Sequence, residues 1–208
     1  MRSMLVTVIL ATLLAYAPVR WAGWVYEDEV YTVPAARAIT AGEVFAPRGL
    51  TAISFRLQYL VNGPDPRAYH AVNLFLHLLV GLGVFAVAKL LIPAPYALLA
   101  AALHLLHPLQ TEAVAYVAGR GELIAALGLL LTVWALIQPI VTWRHIGVAL
   151  VGLVVGIGGK EIGVMALPIV ALHLVVIRKP VWSWRLAGIC AAGVGVAALL
   201  GNLGQYAL

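Results

Sequence analysis

The chain has 208 residues, 63% hydrophobic and 10% charged, with a formal charge of +5 and a mean hydropathy of +1.02. Soluble domains carry about 25% charged residues, so this composition excludes an ordinary globular protein and indicates a polytopic membrane protein. Its cations are too dispersed for a nucleic-acid surface, and the lone Cys190 supports neither a disulfide framework nor a cysteine metal site.

Residues 4–24 form the first predicted span, closed by Arg20, Trp21 and Trp24 as an interfacial belt. Arg2 before an apolar run and the Ala15-Tyr16-Ala17 sequence resemble a signal peptide, but the expectation is a retained helix. An outer loop over residues 25–68 follows, longer than a simple turn needs. It is expected to carry two short helices, at 34–40 and at 48–61, where Leu50, Ile53, Leu57 and Leu60 recur at helical spacing. The second would lie on the bilayer with Arg48 and Arg56 towards water or headgroups, and Asn62-Gly63-Pro64-Asp65-Pro66 ends it.

Residues 69–88 make the second span and 89–95 a tight turn. The apolar stretch 96–106 is too short to cross a core of about 30 Å as a helix. Residues 107–122 form a polar re-entry, 123–138 the next span, and Trp143-Arg144-His145 a turn. The stretch 146–177 is apolar except for Lys160-Glu161, and one helix there would reach about 48 Å, so it divides into two spans at Gly158-Gly159. Arg178-Lys179-Pro180 and Arg185 precede a final span at 186–206. The expected fold is all-α, a single domain over 1–208 with about seven transmembrane helices.

Arg2, Lys89, Arg144, Arg178, Lys179 and Arg185 all thread to the side of the amino terminus, which the positive-inside rule makes cytoplasmic. The same threading puts every acid on the outer face, periplasmic or luminal. Three polar clusters converge there: Glu27-Asp28-Glu29, the run from His107 through Glu112 to Arg120-Gly121-Glu122, and Lys160-Glu161. Three adjacent carboxylates repel, and neighbouring cations, a divalent cation, or a substrate needing a base would offset that. A carboxylate there can act as general base on a hydroxyl, while Arg and Lys can hold a phosphate leaving group.

Blander readings stand beside these. The triplet also reads as a solvated loop near Arg20 and Arg37, and exposed charge usually contributes little. Arg120 with Glu112 or Glu122, and Lys160 with Glu161, also read as ion pairs at the membrane surface. His70 and His77 share a helix face roughly two turns apart, too far for one ion without help from His104 or His107, so no metal site is assigned. His145 and His173 read as structural. Stripes of Gly188, Ala192 and Gly195, and of Ala191, Gly195 and Ala198, suit close packing of the final helix against its own chain or a partner protein.

The order of motifs resembles a known family. An acidic motif after helix one, then Tyr69-His70-Ala71-Val72-Asn73-Leu74-Phe75-Leu76-His77, His107-Pro108-x2-Thr111-Glu112-Ala113-Val114, Gly119-Arg120-Gly121-Glu122 and Lys160-Glu161 are similar to the transmembrane core of the transmembrane-and-tetratricopeptide O-mannosyltransferases. Those are C-type (GT-C) glycosyltransferases, which use polyprenyl-phosphate sugars. The resemblance covers roughly residues 25–177 and is most specific over 107–122. It implies Asp28, with Glu27 next, as the catalytic carboxylate, and Arg120 and Lys160 as ligands of the donor phosphate. Glu29, His107, Glu112, Glu122 and Glu161 would shape the site. The loop departs from the family in reading Glu-Asp-Glu rather than paired aspartates, and no tetratricopeptide array occurs in these residues. A GT-C-type transferase core is the first expectation. A non-catalytic subunit of a larger membrane complex that keeps the fold is the alternative.

Overall fold

A computed structural model of the chain describes residues 2–25, 28 and 48–173. The expected helix at 34–40, the final span at 186–206 with its small-residue stripes, and Glu27, Glu29 and Cys190 lie outside the described residues. Among the described residues all regular structure is helical.

The first span is an α-helix, α1 (Arg2–Ala15), extended by a 3-10 turn at Ala17–Trp21 that accommodates Pro18 in its first positions. Helix α2 (Gly49–Asn62) is an amphipathic piece of the segment between the first span and the next long helix. Thr51, Phe55 and Gln58 face inward, while Leu57, Leu60 and Val61 are exposed. It starts from Arg48 in the left-handed region, φ 70°, which is uncommon for a side-chain-bearing residue, and stops at Gly63, φ 61°. Helix α3 (Pro66–Ala88) opens on Asp65, whose carboxylate accepts from the Arg67 N–H at 3.0 Å, with Pro66 in the first turn.

Helix α4 (Ala94–Leu106) leads to a short α5 (Gln110–Ala115), a 3-10 turn at Val117–Gly119, and α6 (Arg120–Leu136). Helix α7 (Trp143–Gly159) ends where Lys160 turns extended, and a 3-10 turn at Glu161–Met165 then runs into α8 (Ala166–His173). The division expected at Gly158-Gly159 therefore falls one residue later. Trp143-Arg144-His145 opens α7 rather than forming a turn. Thr142 and His145 make a reciprocal capping box there, which satisfies two otherwise orphaned N–H groups.

Among the described residues, three helical stretches are long and apolar enough to cross a membrane, Ser3–Trp21, Pro66–Ala88 and Val117–Leu136. Shorter apolar helices occupy Ala94–Leu106, Trp143–Gly159 and Glu161–His173. Their exposed leucines, such as Leu103 on α4 and Leu150 on α7, give an apolar exterior suited to lipid.

The most extensive packing joins α6 to α7. A Cβ added to Gly152 would lie 2.5 Å from Thr132 Oγ1 and 2.8 Å from the Gly128 carbonyl, so the two backbones meet only because side chains are missing there. Thr132 Oγ1 in turn donates across the seam to the Ala149 carbonyl at 3.2 Å. This seam fixes the start of α6 against the end of α7, where the polar residues gather.

Candidate functional site at the start of α6

A helix start leaves backbone N–H groups without intrahelical partners. At the turn leading into α6 one side chain takes two of them. Asp28 Oδ2 accepts from Val117 N–H at 3.1 Å and Oδ1 from Ala118 N–H at 2.9 Å. A third N–H, that of Val25, reaches Oδ2 at 3.3 Å. Asp28 is fully buried, at 0% exposure, so these donors replace the water its carboxylate has lost.

Two residues further on, Arg120 turns into the protein and is also fully buried. Its Cζ lies 4.4 Å from the Phe55 ring centroid and 5.4 Å from that of Tyr69, so aromatic faces receive the cation. Nε donates to Asn73 Oδ1 at 2.9 Å and Nη2 to the Tyr69 carbonyl at 3.3 Å, while Nη1 has no partner. The Asn73 amide nitrogen donates to the carbonyls of Tyr116 and Val117 at 3.3 and 3.2 Å, with Ala113 at 3.5 Å. One buried amide thus ties α3 to the turn that holds Asp28 and to the guanidinium beyond it.

A second layer lies nearer the surface. Thr51 Oγ1 donates to the Gly159 carbonyl at 2.8 Å, joining α2 to the end of α7. Lys160 Nζ pairs with Glu122 at 2.7 Å, and Arg48 grips Glu161 through Nε and Nη2 at 3.0 and 3.2 Å. Burial acts to raise the Glu161 carboxyl, but the hydrogen bond from Arg48, its own backbone N–H, and the charges of Arg48 and Lys160 outweigh this and hold its pKa below the usual range.

The ion pairs differ from those expected. Arg120 meets neither Glu112 nor Glu122 in ion-pair range, and Lys160 pairs with Glu122 instead of Glu161. Lys160 has φ −161° and ψ 152°, and extended backbone sends consecutive side chains to opposite sides. Asp28 and Arg120 share the α6 turn, and Lys160, Glu122 and Glu161 form the layer beside it. His107 and Glu112 sit at the surface, where His107 Nδ1 accepts from the Leu109 N–H at 3.2 Å.

Asn73, Tyr69, Phe55 and Thr51 were assigned no role from sequence. For Tyr69 and Asn73 the signal existed: with His70 and His77 they recur at helical spacing on one face of α3, and all four are buried. Phe55 and Thr51 carry no such signal.

No protein-family model matches the chain, and no solved structure matches it. It is similar to protein O-mannosyl-transferase Tmtc2 of Drosophila melanogaster, 36% identical over 156 residues that cover 69% of this chain and 16% of that protein. It is likewise similar to protein O-mannosyl-transferase Tmtc1 of Drosophila melanogaster, 46% identical over 85 residues, or 40% of this chain and 10% of that protein. Against protein O-mannosyl-transferase TMTC3 of Homo sapiens the identity is 38% over 80 residues, or 38% of this chain and 9% of that protein. The chain therefore spans between 9% and 16% of the length of these relatives.

Proposed function

We propose that this chain, which belongs to the protein O-mannosyl-transferase family, is the core of a membrane glycosyltransferase of the GT-C type. Its donor is a polyprenyl-phosphate sugar, mannose by analogy with the relatives' names, and its acceptor is a hydroxyl on the outer face. In this reading about seven spans cross the bilayer with the amino terminus in the cytoplasm.

The observation that carries the reading is the shared turn, with a buried carboxylate, Asp28, on Val117 and Ala118 and a buried guanidinium, Arg120, just beyond. Asp28 takes the proton of the acceptor hydroxyl, and the freed oxygen attacks the anomeric carbon. The bond from that carbon to the phosphate oxygen breaks, and polyprenyl phosphate departs with the electron pair. Arg120, through the buried Nη1 that has no hydrogen-bond partner, once the turn opens to the phosphate, and Lys160, by exchanging Glu122 for phosphate, hold the developing charge. To act as base, Asp28 exchanges at least one backbone N–H for the acceptor hydroxyl.

The test is transfer of labelled mannose from polyprenyl-phosphate mannose to a serine- or threonine-bearing peptide by the full chain in proteoliposomes. Transfer that falls in Lys160→Ala while a surface change away from the site, such as Arg144→Gln, leaves it intact supports the site. Absence of transfer with a folded wild-type chain, accompanied by a stoichiometric protein partner from its native membrane, would overturn the reading in favour of a packing subunit.

A further inference from the structure

The mechanism leaves one notch of the molecule unused. A cavity of about 210 Å³ lies between the 3-10 turn Ala17–Trp21 and the first turns of α3, lined by Leu13, Tyr16, Val19, Arg20, His70 and Leu74. Pockets that enclose a whole small molecule run from about 300 to 1,000 Å³, so this one suits part of a larger amphiphile.

Two arginines share one ring beside it. Arg20 lies 4.4 Å and Arg67 5.5 Å from the ring centroid of the same indole, Trp21. Both arginines are exposed, and among the described residues neither has a carboxylate in ion-pair range. Two cations drawn to one ring repel each other, and an anion between them would relieve that.

The other wall supplies a specific acceptor. His70 is 1% exposed, and its Nε2 lies 3.3 Å from the Gly23 carbonyl, an oxygen that can only accept. With the proton on Nε2 for that bond, Nδ1 is left as a lone pair. That Nδ1 is buried and has no partner. Closed off as it is, it meets a hydroxyl donor when the ring turns towards the notch. The remaining wall is apolar and continues into Leu13 and Leu14, which are 39% and 76% exposed on α1.

An anion, a hydroxyl donor and an apolar chain together describe a hydroxyl-bearing anionic lipid. We propose that the notch binds the headgroup of an anionic, hydroxyl-bearing bilayer phospholipid, its phosphate between Arg20 and Arg67 and a headgroup hydroxyl on His70 Nδ1. The site is separate from Arg120 and Lys160, and its lipid fastens the end of the first span to α3 beside the loop that delivers Asp28.

The test uses the full chain in nanodiscs, with native mass spectrometry counting retained phosphatidylglycerol against phosphatidylcholine of the same chains. Phosphatidylglycerol is retained preferentially, and each of Arg20→Gln and Arg67→Gln weakens retention about fivefold, with R20K/R67K keeping most of it. Ala71→Leu, which narrows the notch without touching charge, also lowers retention and serves if the glutamine variants do not fold. Equal retention of phosphatidylcholine, or phosphatidylglycerol unaffected by these variants, would overturn the proposal. Displacement by inorganic phosphate alone would reassign the notch to a free anion. Displacement by equimolar polyprenyl phosphate would reassign it to the glycosyl donor.

Discussion

Asn73 Oδ1 accepts a 2.9 Å hydrogen bond from Arg120 Nε, and both side chains are at 0% exposure. The pair couples a membrane-spanning helix to the turn that carries the candidate base. Removing one partner of a buried charged contact strands the other, at a cost of about 3–5 kcal/mol when the stranded group is the charge. Asn73→Leu leaves Arg120 without its Nε acceptor and strips a donor from the Tyr116 and Val117 carbonyls. Arg120→Met removes the charge and strands only a neutral amide oxygen, about 1–3 kcal/mol. Thermal unfolding in one detergent should therefore rank Asn73→Leu below Arg120→Met, with the double variant recovering part of the loss. The reverse order would mean that Arg120 is not held through Asn73.

Much of the frame was legible because membrane helices announce themselves by length and polarity. The break within one residue of Gly158-Gly159 followed from the excess length of 146–177, and the shared face of His70 and His77 on α3 from their spacing. The pairing of charges was not legible. Gly119-Arg120-Gly121-Glu122 reads as a polar surface turn, whereas Arg120 is buried because Phe55 and Tyr69, far away in sequence, form its lining. Trp143-Arg144-His145 reads as a turn until Thr142 and His145 are seen to cap one another. Both depend on relations that a local pattern does not encode.

The glycines of the α6–α7 seam divide by what surrounds them. An alanine at Gly152 would press on Thr132 and on the Gly128 carbonyl, and overpacking of this kind costs about 1–3 kcal/mol. Gly147 has nothing within 4 Å of an added Cβ and lies inside the same helix, so Gly147→Ala gains about 0.5–1 kcal/mol from helix propensity. Opposite shifts in Tm from the two single substitutions, measured side by side, are expected. A neutral Gly152→Ala would mean that the helices are not in contact there.

The Arg48–Glu161 pair predicts a pH dependence with a definite sign. An acid whose folded pKa is depressed contributes stability that is complete above its unfolded value, here about 4.5, and is lost as pH falls through the lower folded value. Both side chains are half exposed, so the pair is worth about 0.2–1 kcal/mol, and less in high salt. The Tm difference between wild type and Glu161→Gln should stay constant from neutral pH down to about 4.5 and close below it. A difference that widens on acidification would contradict the pairing.

Asp28 faces the sharpest test, because anchoring and catalysis make different demands on the same carboxylate. Asp28→Asn turns an amide N–H₂ towards Val117 or Ala118, both of which donate, and this mismatch costs about 1–3 kcal/mol. For a chain of this size that lowers Tm by several degrees and leaves most molecules folded well below the transition. Loss of a general base instead lowers turnover by about 10²–10⁴-fold at any folded fraction. Turnover and Tm measured on the same Asp28→Asn preparation therefore separate the two roles. A loss of turnover beyond a hundredfold, in protein that still melts cooperatively, assigns Asp28 to the reaction. A loss that merely tracks the unfolded fraction assigns it to holding the first loop on the turn at Val117 and Ala118.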